Sequence, residues 1–385
     1  MKHATTRFRP LAAVGAGLLL LLAPLRPAAA QTWVELTPEG GGPSAPISWR
    51  LGGAGYDAVN NRLITYFPSN PGFRADPLPE VWVLTNANGL GDTPVWIQLA
   101  PEGTPPTNIR GSPGTVYDAA SNRLIVYGGC YANCSPAQST VYVLTHANGL
   151  GGTPTWTMSA VKNPQARVTH SMVFDPSSNR IITFGGHFAF PGTDQNDTRI
   201  LTNANGVGSP STWRSLTTAG PLPGRRGVHT AIYDQTNNRM TIFGGMENQS
   251  SLSVALYNDV WVLTNANGSG GASQWIQLTP AESLPKGRLF HSAVYDSLHN
   301  RLLMFGGLVS ERPSTHYVLD DLWELSHANG LGGRPTWTPL SPSGTPPGPN
   351  YQHAAVFDAA HQRMIIFGGV SESGRAHKRV WVLVL

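Results

Sequence analysis

The chain has 385 residues, among them 43 glycines and 32 prolines, a composition that suits many short strands joined by turns and argues against long helices. Its formal net charge of +4 resides in Lys2, Arg7, Arg9 and Arg26, which no acid accompanies within the first thirty residues. The remainder is balanced, so the electrostatic basis for nucleic-acid binding disappears with that segment.

Residues 1–30 combine those cations with an apolar run from Leu11 to Ala23 and end in Ala28-Ala29-Ala30. This is the pattern of a secretory signal peptide, with the mature chain starting at Gln31 and destined for the periplasm or the medium. The apolar run is short for a membrane span and nothing later supplies another, so no transmembrane anchor is expected.

From residue 31 onwards one unit recurs. Tyr56, Tyr117, Phe174, Tyr233, Tyr295 and Phe357 are each followed by Asp and stand 57–62 residues apart, a period that suggests propeller blades. In the best copy, Phe290 to Tyr295 reads as an inner strand and Asp296 to Arg301 as a hairpin. There Asp caps backbone amides, Asn tolerates positive φ, and Arg returns to the Asp. Leu302 to Phe305 is a second strand, closed by Gly306-Gly307. Equivalent glycine pairs stand at 128, 185, 244 and 368, and only the first copy lacks one. Third strands such as Val260 to Leu263 precede Asn-Ala-Asn-Gly or His-Ala-Asn-Gly turns, and fourth strands carry Trp96, Trp156, Trp213, Trp275 or Trp337. Those turns offer amide oxygens but no carboxylates, which favours a turn role over calcium.

The last copy stops after Val380 to Leu385 without a Trp strand, while Thr32-Trp33-Val34-Glu35-Leu36 matches the missing piece. The N-terminal strand is therefore expected to complete the sixth blade and hide the open edges. Cys130 and Cys134 are the only cysteines; after export a small-loop disulfide is expected, since a metal site would need further ligands nearby.

The glycine pairs, the third-strand aromatics and the fourth-strand Trp residues resemble Kelch repeats. The resemblance implies an all-β, six-bladed propeller of four-stranded blades over residues 31–385. Two departures are the missing first glycine pair and an unusually long third-to-fourth connection. In Kelch domains that bind acidic peptides, arginines at the start of the inner strand line the mouth, and Arg110, Arg167, Arg226 and Arg288 match that position. His170, His229, His291 and His353 follow at a fixed spacing, with bridging between blades as their expected role. The loops after the second strands differ in every copy and offer Tyr131, His187, Phe188, Phe190, Tyr257 and His316 as contact residues.

The expectation is a monomeric, exported, noncatalytic binding propeller without a cofactor, taking a protein or carbohydrate partner. The alternative is a sugar-active propeller like the periplasmic sialic acid mutarotase, with Arg167, Arg226 or Arg288 working beside Glu247 or Glu311. A galactose-oxidase-like copper site lacks its Cys-Tyr crosslink, and no phosphate loop, Ser/His/Asp constellation or HExxH motif occurs.

Overall fold

A computed structural model of the chain describes Met1 and residues 31–385 except 44–52, 69–78, 108, 110, 131–136, 163–164, 189–193, 251–252, 282 and 313–314. The signal-peptide expectation, Arg110, Tyr131, Cys134 and Phe190 therefore lie outside the described residues. No helix occurs among those described, and none is long and apolar enough to cross a membrane.

Six sheets, each with four antiparallel strands, form the blades, and their inner strands touch in cyclic order with the sixth meeting the first. In blade four the strands are Thr230–Asp234, Arg239–Phe243, Val260–Thr264 and Ser273–Leu278, running from the axis outward. The sixth blade takes its fourth strand from the other end of the chain: Thr32–Leu36 pairs antiparallel with Val380–Val384, Trp33 opposite Leu383. The predicted inner strand in blade five begins later than expected, at Ser292, because Phe290 adopts a left-handed backbone with φ of 57°.

The core lies between blades rather than within them. Each outer-strand Trp packs on an aromatic residue late in the second strand of the preceding blade. The ring centroids are 5.8 Å apart for Tyr66–Trp156, 4.7 Å for Tyr127–Trp213, 4.8 Å for Phe184–Trp275 and 5.0 Å for Phe243–Trp337. Phe305–Trp33 at 5.5 Å and Phe367–Trp96 at 5.0 Å complete the circle across the seam. Edge protection follows the same order. After leaving one blade the chain runs parallel to the Trp strand of the next, as Glu102–Gly103 does beside Thr155–Trp156 and Ser343–Gly344 beside Thr32–Trp33.

On one face, a buried polar latch joins neighbours. The Asn148 side-chain amide donates to Asp57 at 2.6 Å, Asn205 to Asp118 at 2.7 Å, Asn267 to Asp175 at 2.6 Å, Asn329 to Asp234 at 2.6 Å and Asn88 to Asp358 at 2.6 Å. The Asn-Ala-Asn-Gly segments are thus more than turns: each carries the Asn that grips the carboxylate one blade back. The arginine expectation is corrected in the same place. Only Arg301 returns to its own Asp, whereas Arg62, Arg123, Arg180, Arg239 and Arg363 each donate to the carbonyl of the latch Asn in the next blade. Blade six has no such segment, and there Gln362 reaches Asp296 and Arg301 instead.

Replacing Asn148 by Ala should leave Asp57 buried without its strongest donor and lower stability by about 1–3 kcal/mol. Urea unfolding monitored by tryptophan fluorescence measures this, and an unchanged midpoint would remove the latch from the account of stability.

Candidate functional site

The face opposite the latch carries the glycine pairs, and the sequence assigns it the arginines. Their position is corrected by the structure: Arg167, Arg226 and Arg288 are fully buried. Arg226 donates to Asp259 at 2.5 and 2.9 Å and to the Gly244 carbonyl at 3.1 Å, and Arg288 repeats this with Asp321 and Gly306. Arg167 contacts both oxygens of Asp197 at 2.5 Å and the Gly185 carbonyl at 2.7 Å. A guanidinium fork matches a carboxylate and a carbonyl together, so each arginine ties the turn after the second strand to the start of the third. The indole N–H groups of Trp261 and Trp323 hold two of those carboxylates from the far side. The glycine pair is required for close approach: a Cβ at Gly185, whose φ is 65°, would lie 2.5 Å from the Arg226 carbonyl oxygen.

These pairs also take away the arginines that a sialic-acid-mutarotase-like acid–base site would use. Glu247 accepts a 2.7 Å hydrogen bond from Tyr257, and Arg226 instead lies beneath the Tyr257 ring, 3.9 Å from its centroid. Replacing Asp259 by Ala strands a buried guanidinium and should cost about 3–5 kcal/mol, most of it recovered in the double variant Arg226→Met, Asp259→Leu. A small loss in thermal or urea unfolding of the single variant would return Arg226 to the list of ligand-contacting residues.

The histidines bridge blades. His229 Nε2 lies 2.8 Å from Ser171 Oγ, His291 Nε2 2.8 Å from Thr230 Oγ1, and His353 Nε2 2.7 Å from Ser292 Oγ. His170 faces Gly114 instead of a hydroxyl, and its ring packs 4.9 Å from Tyr127. Burial, followed by the charge of Arg167, depresses the His170 pKa to about 3. Burial, followed by His377, does the same for His353, and His229 and His291 are also held well below the usual value, by burial first. The four rings are neutral at physiological pH, and the described residues contain no cluster of three or more metal-ligating side chains.

A depressed histidine pKa means that the unfolded chain binds protons the folded chain does not. Stability should therefore be constant above the unfolded value of about 6.5 and fall as pH drops from there towards 3. Asp57, Asp175 and Asp358 add a second window. Burial raises their pKa values, but the hydrogen bonds they accept outweigh it and hold them below the carboxylate range, so their contribution fades only below about pH 4. Urea midpoints from pH 8 to 3 test both windows: a flat profile between 6.5 and 4.5 contradicts the buried neutral histidines.

Inside the histidines runs a collar that sequence reasoning passed over. Ser112, Thr169, Val228, Phe290 and Gln352 occupy the same position in successive blades, all with φ between 48° and 58°. The Thr169 N–H donates to the Ser112 carbonyl at 3.1 Å, Val228 to Thr169 at 2.9 Å, Phe290 to Val228 at 3.4 Å and Gln352 to Phe290 at 2.9 Å. This circumferential chain of hydrogen bonds accounts for a backbone that β-branched and bulky residues otherwise avoid. All five residues line a cavity of about 230 Å³ at the mouth, together with Phe67, Phe367, His377 and Lys378. The signal was present in the sequence as the second of two variable positions set between the recurring Arg and His.

Comparison with known proteins places this geometry. The KLHDC2/KLHL20/DRC7 Kelch-repeats domain matches residues 114–330 and 269–385, most of the chain. The chain belongs to the Kelch-repeat family. Adagio protein 3 of Arabidopsis thaliana is 24% identical over 326 residues, covering 81% of this chain and 46% of that protein. Adagio-like protein 3 of Oryza sativa subsp. japonica is 27% identical over 320 residues, covering 81% and 45%. The Kelch chain thus spans about half the length of these curated relatives. The solved structure titled "Structure of YjhT" superposes with a TM-score of 0.62 at 13% identity over 88% of this chain and 95% of that one, a likeness of fold.

On this Kelch scaffold the expected loop contacts divide. His187 is buried with its ring Nδ1 against the Asp194 carboxylate, and Phe188 is half-buried with its ring 5.6 Å from the Arg167 guanidinium. Tyr257 is half-buried over Arg226, and His316 is exposed on the long blade-five hairpin, Arg301–Arg312 with Thr315–Ser326. That hairpin stands beside the blade-four hairpin of Met246–Ser250 and Ser253–Leu256, raising a wall on one side of the mouth. Cys130 is buried, with its Sγ 3.8 Å from the Gly111 carbonyl oxygen.

Proposed function

We propose that this Kelch propeller is an exported, noncatalytic binding protein that recognises a protein or glycan partner through the glycine-pair face. The observation that carries this reading is the collar: five different side chains held at one constant, strained backbone position around an open cavity. A frame that repeats while its cavity-facing residues vary suits recognition. Acid–base chemistry would draw on arginines that are instead locked against Asp197, Asp259 and Asp321. The reading includes removal of residues 1–30 after export, a Cys130–Cys134 disulfide closing the blade-two loop, and action as a monomer without a cofactor.

The secreted protein, passed over a glycan array and a peptide panel that includes acidic sequences, is expected to retain members of one panel. In parallel it should leave the rate of sialic acid anomerisation, followed by NMR, at the uncatalysed value. Anomerisation accelerated by the wild type and abolished in an Arg226 variant would overturn the noncatalytic reading. Intact mass of the exported protein, expected to begin at Gln31 and to be two hydrogens lighter than the reduced chain, tests processing and the disulfide together.

A further inference from the structure

The shielding of each outer strand by the preceding linker fails once. Elsewhere the residue six positions after a Trp lies along the next Trp strand: Glu39 at Val95, Glu102 at Thr155, Ala219 at Gln274, Ala281 at Thr336 and Ser343 at Thr32. Glu39, Glu102 and Ala281 each donate an N–H at 2.9 Å to the carbonyl two residues before that Trp, and the Trp96 N–H returns a bond to the Glu39 carbonyl. Blade three has no such cover: among the described residues nothing pairs with the outer edge of Thr212–Leu216. The equivalent residue, Lys162, is exposed, and the Val161 N–H before it turns back to Ser159 Oγ at 3.2 Å. Trp213 is accordingly only partly buried, whereas the other five outer-strand indoles are buried.

The sequence accounts for the gap. Arg167 stands eleven positions after Trp156, whereas the equivalent Arg226, Arg288 and Asn350 stand thirteen after Trp213, Trp275 and Trp337. Two fewer residues remove about 7 Å of reach, the length needed to run along the edge before turning inward. Four of the covering segments are followed by glycine, and a Cβ at Gly40, Gly103 or Gly344 would lie 2.3–2.5 Å from the carbonyl oxygen of the Trp it passes. The sequence has Asn163 at the corresponding place. In the antiparallel ladder Thr212, Arg214 and Leu216 bond inward, so the Ser211 carbonyl and both backbone groups of Trp213 face outward, as those of Trp96 do. These are the groups that a covering segment engages in the other blades, and an open row of them is a template for another strand.

We infer that this edge is a second interaction surface, on the rim and separate from the mouth, which takes an extended segment of another polypeptide parallel to Thr212–Leu216. The covered blades define what fits: an extended residue, preceded by proline and followed by glycine in two of them, Pro38-Glu39-Gly40 and Pro101-Glu102-Gly103. Backbone pairing supplies the affinity and the side chain of the paired residue supplies the preference. A residue opposite Thr212 shares a sheet face with Arg214, which is exposed, so an acid at that position meets its charge. A second copy paired antiparallel through the same edge would set the two Arg214 side chains against each other, which disfavours self-pairing.

The test titrates the isotope-labelled secreted protein with an acetylated, amidated peptide of the sequence Leu99–Thr104, followed by NMR. A saturable shift of the Trp213 amide is expected, with a dissociation constant of about 1 mM or below. Methylating the peptide's glutamate N–H, which removes the donor to the Ser211 carbonyl, should weaken binding about tenfold. Exchanging that glutamate for glutamine should weaken binding about threefold to the wild type and leave it unchanged in Arg214→Thr, since Thr157 and Thr338 hold the same place in two other blades. Replacing residues 159–166 with a copy of 216–225, the linker that covers blade four, should supply the missing cover and abolish binding. No saturable shift at Trp213, equal binding of the methylated and unmethylated peptides, equal binding of the glutamate and glutamine peptides to the wild type, or undiminished binding in the graft would each overturn the inference. So would self-association of the peptide-free protein that the graft removes, which would assign the edge to a second copy. None of these outcomes bears on recognition at the mouth, so the two readings fail separately.

Discussion

Every blade boundary but one is crossed by an Asn side chain that donates to a buried carboxylate of the preceding blade. A single blade cannot bury its own aromatic residues, so the ring is stable only when neighbours dock, and the latch sets the register of that docking. The apolar contacts follow from it: once Asn148 meets Asp57, Trp156 falls against Tyr66. Hydrophobic burial supplies most of the drive, whereas the directional polar contacts choose which of the many ways of stacking two sheets is adopted.

The opposite face handles charge differently. Three buried arginines are matched one to one by aspartates, which keeps the ring's interior neutral and draws the glycine-pair turns tight against the third strands. A basic mouth, the natural inference from four arginines at equal spacing, is thereby converted into a nearly uncharged one. A ligand at such a mouth would be held by shape and hydrogen-bond pattern more than by long-range attraction, with correspondingly little sensitivity to salt.

The number of blades, their strand order and the closure by Trp33 were legible in the sequence because they rest on local periodicity and turn chemistry. The Asp-x-x-x-Asn-Arg hairpins were also readable as turns. Their arginines were misjudged because the partner of Arg62, the Asn148 carbonyl, belongs to the next repeat, and no spacing within one unit announces it. The same limit applied to Arg226, whose carboxylate at Asp259 lies across a loop of variable length. The inner-strand start at Ser292 rather than Phe290 was hidden for another reason: a left-handed Phe is unfavourable locally and is imposed by the collar's hydrogen bonds around the axis.

The pairing of Thr32–Leu36 with Val380–Val384 also orders events in time. The segment synthesised first among these is used last, since its partner strand exists only once Val384 has been made. Until then blade six lacks its outer edge and Phe305 lacks the indole of Trp33 that covers it. Blades one to five can form as the nascent chain lengthens, but the circle shuts in one late step, and the unpaired margin exposed beforehand is the stretch a chaperone would need to shield.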